Sequence, residues 1–394
     1  MTVAWVPAAA SRSPSFPLVR QRDNPFFIFG CPRSGTSLLS LMLGTHPNLA
    51  IPYESHLYNS IYPAVRRHAD LQSSRTRALL VARIIETEHI RMWTPAPSLP
   101  ETLRAITRSD FHGVVDGLLR AWASSQGKTR WGEKTPQHTL CWRTILSGFA
   151  KVQVIHLVRD GRDVALSYKK AFFGPKHVYP LACRWQQYLT AAEEARAFLG
   201  EDGFLQVRYE DLLAAPEQEL RRICGFLGEE FIPEMLAYYR QHKTLHCDQR
   251  NASNLRLPVI SDNAGKWRSQ MTGRELRIFE SLSGDSLDRY GYPRAVDQPR
   301  ISEWESLSCR YLEHPPRRLC AMLKNGQARR LALQKLRLHL FSRAPDHLSG
   351  PSWPRAAAMA STRVADPQAV HGAATTVAHP PRSECPPPRT SRVR

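Results

Sequence analysis

The residues Gly30-Cys-Pro-Arg-Ser-Gly35-Thr-Ser37 stand between two apolar runs of different character. Before them, Pro25-Phe-Phe-Ile-Phe29 is short, aromatic and unbroken, the pattern of a strand buried on both faces. After them, Leu38-Leu-Ser-Leu-Met-Leu-Gly44 suits a buried helix that stops at His46-Pro47. A glycine-bearing loop leading from a buried strand into a helix N-terminus turns several backbone N–H groups to one side, where they cradle an anion. The plainer reading of such a loop is a tight turn that caps the helix. Either way the chain is committed to a strand, loop and helix unit.

Two further strands are predicted. Val152 to Val158 is β-branched and apolar enough for the middle of a sheet, and Phe204 to Arg208 leads into Tyr209-Glu-Asp-Leu and an amphipathic helix from Pro216 to Leu227. Asp160 or Asp163 opens a helix running toward Tyr168, and Gly273 to Tyr292 reads as a last helix. Between Ser55 and Gln126 the pattern predicts several helices, broken at Pro95, Pro97 and Pro100. Strands separated by helices argue for an α/β chain with a central parallel sheet flanked by helices in three layers. The predicted layout is a flexible segment over 1–24, a main domain over 25–293, a basic helical extension over 294–343 and a Pro/Arg-rich disordered tail over 344–394, which holds nine prolines.

The loop lacks one thing. A nucleotide triphosphatase loop has lysine after its second glycine, to reach the β and γ phosphates, whereas Thr36 stands there in this chain and the basic residue is Arg33 inside the loop. The second expected strand ends in Val158-Arg159-Asp-Gly-Arg162-Asp163-Val-Ala-Leu-Ser167. Arg159 sits at the end of that strand, with Ser167 one helical stretch later. The alternative for Arg159 is a surface salt bridge with Asp160 or Asp163; Arg162 is read as a structural partner of Asp163.

With both segments in view, P-R-S-G-T-S and V-R-D-G-R-D-V-A-L-S, the chain resembles the sulfotransferases that use 3′-phosphoadenosine 5′-phosphosulfate (PAPS), over roughly Phe26 to Pro293. The resemblance implies a P-loop-like fold and a donor gripped twice. Arg33, Ser34, Gly35, Thr36 and Ser37 would hold the 5′-phosphosulfate, and Arg159 and Ser167 the 3′-phosphate. It further implies Lys134, in Trp131-Gly-Glu-Lys-Thr-Pro136, as a cation on the leaving phosphate, Tyr209 near the adenine, and Lys266 closing over the 3′-phosphate. The alternatives are an ion pair of Lys134 with Glu133 or another carboxylate, core packing for Tyr209 and a solvated charge for Lys266. Leu38 stands where cytosolic members stack a tryptophan on adenine, which leaves the adenine contact unassigned.

Transfer to a hydroxyl needs a group that takes its proton. Cytosolic members place a histidine after the Lys-Thr pair, but here Pro136 follows, with His138 two residues on. Protein-tyrosine sulfotransferases place a glutamate after the first helix, and Glu54 occupies a similar position. Glu54 is therefore the expected base, with His138 and His56 as rivals, and Arg33 and Lys134 the expected charge-stabilising pair.

Composition adds the partners. The 394 residues carry a formal charge of +19, of which the stretch from Arg294 onward holds 17 basic and 7 acidic residues. Such a chain favours anionic partners. The expected partners are a donor and a hydroxyl-bearing acceptor, without a specific nucleic acid and without a metal, and a peripheral contact of the basic C-terminal helix with a membrane or other anionic surface. The competing readings are a P-loop kinase or nucleotide hydrolase, and a nucleic-acid or membrane-surface binder working through the C-terminal third. The eight cysteines show no C-x-x-C pair and are expected to be reduced and packed. Lacking a signal-like start or an apolar run long enough to span a bilayer, the chain is expected in the cytoplasm.

Overall fold

The computed structural model describes residues 24–66, 70–171, 173–240 and 253–324. All of these fall in the first of two compact units, 1–343 and 344–394. The expected disordered tail, the end of the basic helix beyond Lys324 and all but the last residue of the expected flexible N-terminal segment lie outside the described residues.

Five strands build one parallel sheet: β1 (Phe26–Phe29), β2 (Leu49–Ala50), β3 (Arg130–Glu133), β4 (Gln153–Val158) and β5 (Phe204–Arg208). Their spatial order is β2-β3-β1-β4-β5, with Phe26 aligned to Gly132 on one side and to Gln153 on the other. The unbroken apolar run of β1 follows from burial on both faces. Phe26 and Ile28 join α1 (Thr36–Gly44) in one core cluster, while Phe27 and Phe29 join a second cluster on the other face. That second cluster includes α2 (Phe111–Ser125) and α4 (Val178–Gly203), the latter broken at Gly200. Truncating one of these wholly buried phenylalanines to alanine costs about 3–5 kcal/mol. The layers are therefore helix, sheet, helix, and the architecture is the expected α/β, P-loop-like one.

Helix α3 (Gly161–Lys170) follows β4, α5 (Pro216–Leu227) covers the β5 side and α6 (Gly273–Arg289) packs beside α4. Asp160 caps α3 by accepting the Arg162 N–H at 2.9 Å, and Thr272 and Glu275 form a capping box on α6. The described part of the stretch after residue 293 packs back on this unit: Cys309 is fully buried, and Glu305 and Glu313 pair with Arg274. Among the six described cysteines, Cys31, Cys224 and Cys309 are buried and Cys183 and Cys320 exposed, so packing accounts for only part of them. No described helix is long and apolar enough to cross a membrane.

The carboxyl ends of β1 and β4 lie side by side where the strand order reverses, since the chain leaves β1 toward β2 and later returns on the opposite side as β4. Open parallel sheets bind ligands in that crevice.

Candidate active site

The loop after β1 is built to leave its N–H groups facing outward. Arg33 has φ 78° and Gly35 φ 96°, and Gly35 is the N-cap of α1, so the helix has no side-chain cap. Its first N–H groups are therefore open to an anion. A Cβ on Gly35 would lie 2.3 Å from Cδ2 of Tyr209, so only glycine fits between this loop and the ring. Cys31 is packed beneath; burial pushes its thiol up to about 12, far from a nucleophile.

Arg33 reaches across to β4's helix, donating from Nε to Ser167 Oγ at 3.0 Å. Arg159, at the end of β4, donates to the Arg33 carbonyl at 3.4 Å and to the Asn263 carbonyl at 2.8 Å, and its guanidinium lies 4.4 Å from the Tyr209 ring centroid. It is 7% exposed and 3.5 Å from Asp163, so the surface salt bridge considered for it is replaced by a buried contact at the cleft floor. Asp163 is occupied from the other side, accepting the N–H groups of Gly265 and Trp267 at 2.7 and 2.9 Å. That ties the 263–267 loop over the cleft and delivers Lys266, whose Nζ donates to Asn263 Oδ1 at 2.8 Å.

Arg162 corrects one expectation. Its guanidinium is fully buried away from the cleft and pairs with Asp160 and Glu280, each at 2.7 Å, rather than with Asp163. Helix geometry explains the change: Asp163 faces the 263–267 loop, and Arg162 turns to α6 and stacks 3.5 Å over Trp267.

These residues line a cavity of about 300 Å³ that includes Arg33, Gly35, Thr36, Ser37, Arg159, Ser167, Tyr209 and Lys266. Its lining also includes the apolar side chains of Leu38, Leu213, Leu255 and Ile260, and Tyr238. Sequence reasoning missed Leu213, Tyr238, Leu255 and Ile260 together with Asn263, the hub between Arg159, Tyr209 and Lys266. The only sequence signal was the turn-like Asp262-Asn-Ala-Gly265 before Lys266.

Glu54 and Lys134 meet beside the loop. Lys134 Nζ donates to Glu54 Oε1 at 2.6 Å and to Ser37 Oγ at 3.1 Å, which makes Glu54 and not Glu133 the partner of Lys134. Burial alone would raise the Glu54 carboxyl, but the Lys134 charge and the His56 contact outweigh it and bring its pKa down to about 2. His56 Nε2 is 3.5 Å from Glu54 Oε2, and its ring stacks 4.1 Å from His89. Burial, then the neighbouring His56, lowers His89 to about 4, so it is neutral at pH 7. His138 is no base: it is buried, its Nε2 accepts the Tyr58 N–H at 3.1 Å and its Nδ1 donates to Glu133 at 2.7 Å.

The residues fit a doubly anionic nucleotide. Ser34 Oγ and Arg159 Nε are buried and have no hydrogen-bond partner among the described residues, and the cleft lining combines Arg33, Arg159 and Lys266 with apolar side chains. Away from it, among the described residues, His177, Cys309 and Glu313 bring ligand-type atoms within 4.8 Å. There Tyr179 N–H occupies His177 Nδ1, and Arg274 holds Glu313.

A model of the sulfotransferase family matches residues 25–233. The omega-hydroxy-beta-dihydromenaquinone-9 sulfotransferase Stf3 of Mycobacterium tuberculosis is 25% identical over 181 residues, 42% of each chain. The protein-tyrosine sulfotransferase of Drosophila melanogaster is 23% identical over 300 residues, 71% of this chain and 54% of its own. Both matches span less than two thirds of the relative's length. Among solved structures, the sulfotransferase domain from the curacin biosynthetic pathway is 22% identical, with a TM-score of 0.46 and coverage of 69% of this chain and 98% of that one.

Proposed function

Given that the chain belongs to the sulfotransferase family, we propose that it moves a sulfuryl group from PAPS to a hydroxyl of an acceptor, with 3′,5′-ADP as the other product. The observation that carries this reading is the convergence, in one cleft, of Arg33 and Arg159 from the loops after β1 and β4, beside a lysine bonded to a carboxylate. Two arginine-led anion sites suit a nucleotide with phosphate at both ends of its ribose. When bound, the donor supplies the electrophilic sulfur and a phosphate leaving group.

The chain's own residues do the rest. The loop N–H groups with Arg33, Ser34, Thr36 and Ser37 hold the 5′ end, while Arg159, Ser167 and Lys266 hold the 3′-phosphate. Leu38, Leu213, Tyr238, Leu255 and Ile260 give the base an apolar slot, with Tyr209 closing its wall. Lys134, shared between Ser37 and Glu54, provides positive charge where the leaving phosphate develops negative charge. Glu54 takes the proton of the acceptor hydroxyl. A lysine that turns toward the donor also releases Glu54 from its ion pair, which raises the carboxylate's proton affinity when the proton must be taken. The two relatives are named for a hydroxylated quinone and for tyrosine, and a hydroxyl is the group these acceptors share. Placement in the cytoplasm and metal independence belong to the same proposal.

The test is calorimetry with 3′,5′-ADP, and separately with ADP and magnesium, on the wild type and on Arg159→Ala. Metal-independent binding of 3′,5′-ADP that the substitution abolishes supports the reading; preference for magnesium-ADP would replace it with the kinase reading.

A further inference from the structure

We propose that Glu133 is a positioning residue: one buried carboxylate at the end of β3 sets the placement of both Glu54 and Lys134. The inference rests on the roles given to those two residues above.

Glu133 is 1% exposed and is not among the residues that line the cleft. Its Oε1 accepts the hydroxyls of Ser55 at 2.7 Å and Thr135 at 2.6 Å. Its Oε2 accepts the Thr135 N–H at 3.1 Å and His138 Nδ1–H at 2.7 Å. Ser55 directly follows Glu54 in the chain, and Thr135 directly follows Lys134. The two hydroxyl neighbours are also locked to each other, since Thr135 Oγ1 accepts the Ser55 N–H at 2.9 Å. One carboxylate thus grips, by the adjacent residue in each case, the two side chains whose charged ends meet at 2.6 Å.

The segment it holds needs holding. His56 has φ 54°, a left-handed conformation that a non-glycine residue adopts at a cost of about 1–3 kcal/mol, and a π-helical turn, Leu57–Ile61, follows at once. Such a backbone persists only where its surroundings over-determine it. Here the first N–H groups of the turn are met from the same network: Leu57 N–H by Ser55 Oγ at 3.4 Å, and Tyr58 N–H by His138 Nε2 at 3.1 Å. The Tyr58 N–H fixes His138 as the tautomer that donates from Nδ1, so the imidazole passes the constraint from Glu133 to the turn. Ser55 Oγ–H, Thr135 Oγ1–H, Thr135 N–H and His138 Nδ1–H all donate to this carboxylate, and donors on every side favour its ionised form. A glutamine keeps the shape but loses the charge, and with its carbonyl toward Thr135 N–H and His138 its N–H₂ makes the Ser55 and Thr135 hydroxyls accept instead of donate.

The experiment follows the Glu54 carboxyl by ¹³C NMR against pH in the full chain, assigned with Glu54→Gln, in the wild type, Ser55→Ala, Thr135→Val and Glu133→Gln. The wild-type midpoint is expected at about 2, where Lys134 and His56 outweigh the effect of burial. Each variant is expected to move it toward the ordinary glutamate value of about 4.3, with 3′,5′-ADP still bound and transfer slowed about 10- to 100-fold. In the Glu54→Gln background Ser55→Ala should slow transfer no further, as a residue acting only through Glu54 must. An unmoved midpoint in folded Ser55→Ala and Thr135→Val, or full additivity with Glu54→Gln, overturns the proposal. Should Glu133→Gln not fold, the other two variants decide. Wild type that fails to bind 3′,5′-ADP would sink the donor assignment while leaving the Glu54 midpoint to judge the positioning.

Discussion

Lys134 Nζ stands 2.6 Å from Glu54 Oε1 and 3.1 Å from Ser37 Oγ, so one ammonium joins the expected base to the anion loop. Replacing Glu54 by Gln removes the proton acceptor and keeps the size. Turnover with any accepted hydroxyl compound should fall about 10²- to 10⁴-fold, with 3′,5′-ADP binding retained, as rates and calorimetry on one preparation would show. Unchanged turnover would remove Glu54 from the mechanism.

The same contact sets a pH dependence. Burial raises the Glu54 carboxyl while Lys134 and His56 pull it down, leaving it at about 2, below the unfolded value of about 4.3. A depressed folded pKa contributes stability that is present above about pH 4.3 and is lost as pH falls toward 2. Melting temperatures should therefore drop more steeply between those values in the wild type than in Glu54→Gln. In Lys134→Met the largest opposing charge is gone and burial remains, so Glu54 should titrate above its wild-type midpoint and the rate should gain an acid limb. Parallel pH profiles for wild type and Lys134→Met would contradict this.

What the chain's order of residues revealed follows from where each contact is made. Arg33, Ser37, Arg159 and Ser167 lie in the loops and helices that directly follow β1 and β4, and the pairing of those two apolar strands brings them together. β2 is two residues long, and β3 reads Arg-Trp-Gly-Glu, polar at both ends. Arg130 is nonetheless buried, because it donates to the Asn24 carbonyl at 2.7 Å and to Gln153. No periodicity announces such a strand. Asn263 and Tyr238 reach the cleft only by tertiary folding, and the Arg162 partner Glu280 lies 118 positions away. Lys134 could be matched to a family segment, yet its pairing with Glu54 across 80 positions needed coordinates.

Gly35 separates steric from electrostatic control of the loop. A methyl group there would meet Tyr209 Cδ2 at 2.3 Å and would sit at φ 96°. Gly35→Ala should cost about 1–3 kcal/mol of stability from the backbone alone and also weaken 3′,5′-ADP, because the loop N–H groups must shift. Adding Tyr209→Leu relieves the clash but leaves the φ strain, so it should recover only part of the melting temperature. Full recovery would show that φ at this position carries no cost.

Arg159 and Arg162, three positions apart, should fail in opposite ways. Arg159 faces the cleft, where its Nε has no partner among the described residues, and its contacts within the protein are largely to backbone carbonyls. Arg159→Ala should therefore abolish most 3′,5′-ADP affinity with a small change in melting temperature. Arg162 is fully buried between Asp160 and Glu280, and burial, which would lower its pKa, is outweighed by those two carboxylates. Removing it leaves two buried negative charges uncompensated, a loss of about 3–5 kcal/mol. Arg162→Met should thus lower the denaturation midpoint sharply, while the fraction that stays folded binds 3′,5′-ADP. Because Glu280 also accepts the Ala295 and Val296 N–H groups at 3.0 and 2.9 Å, the same variant should loosen the chain just after α6 first. Hydrogen exchange at those two amides would detect that, and protection equal to wild type would show that Arg162 is not what holds Glu280 in place.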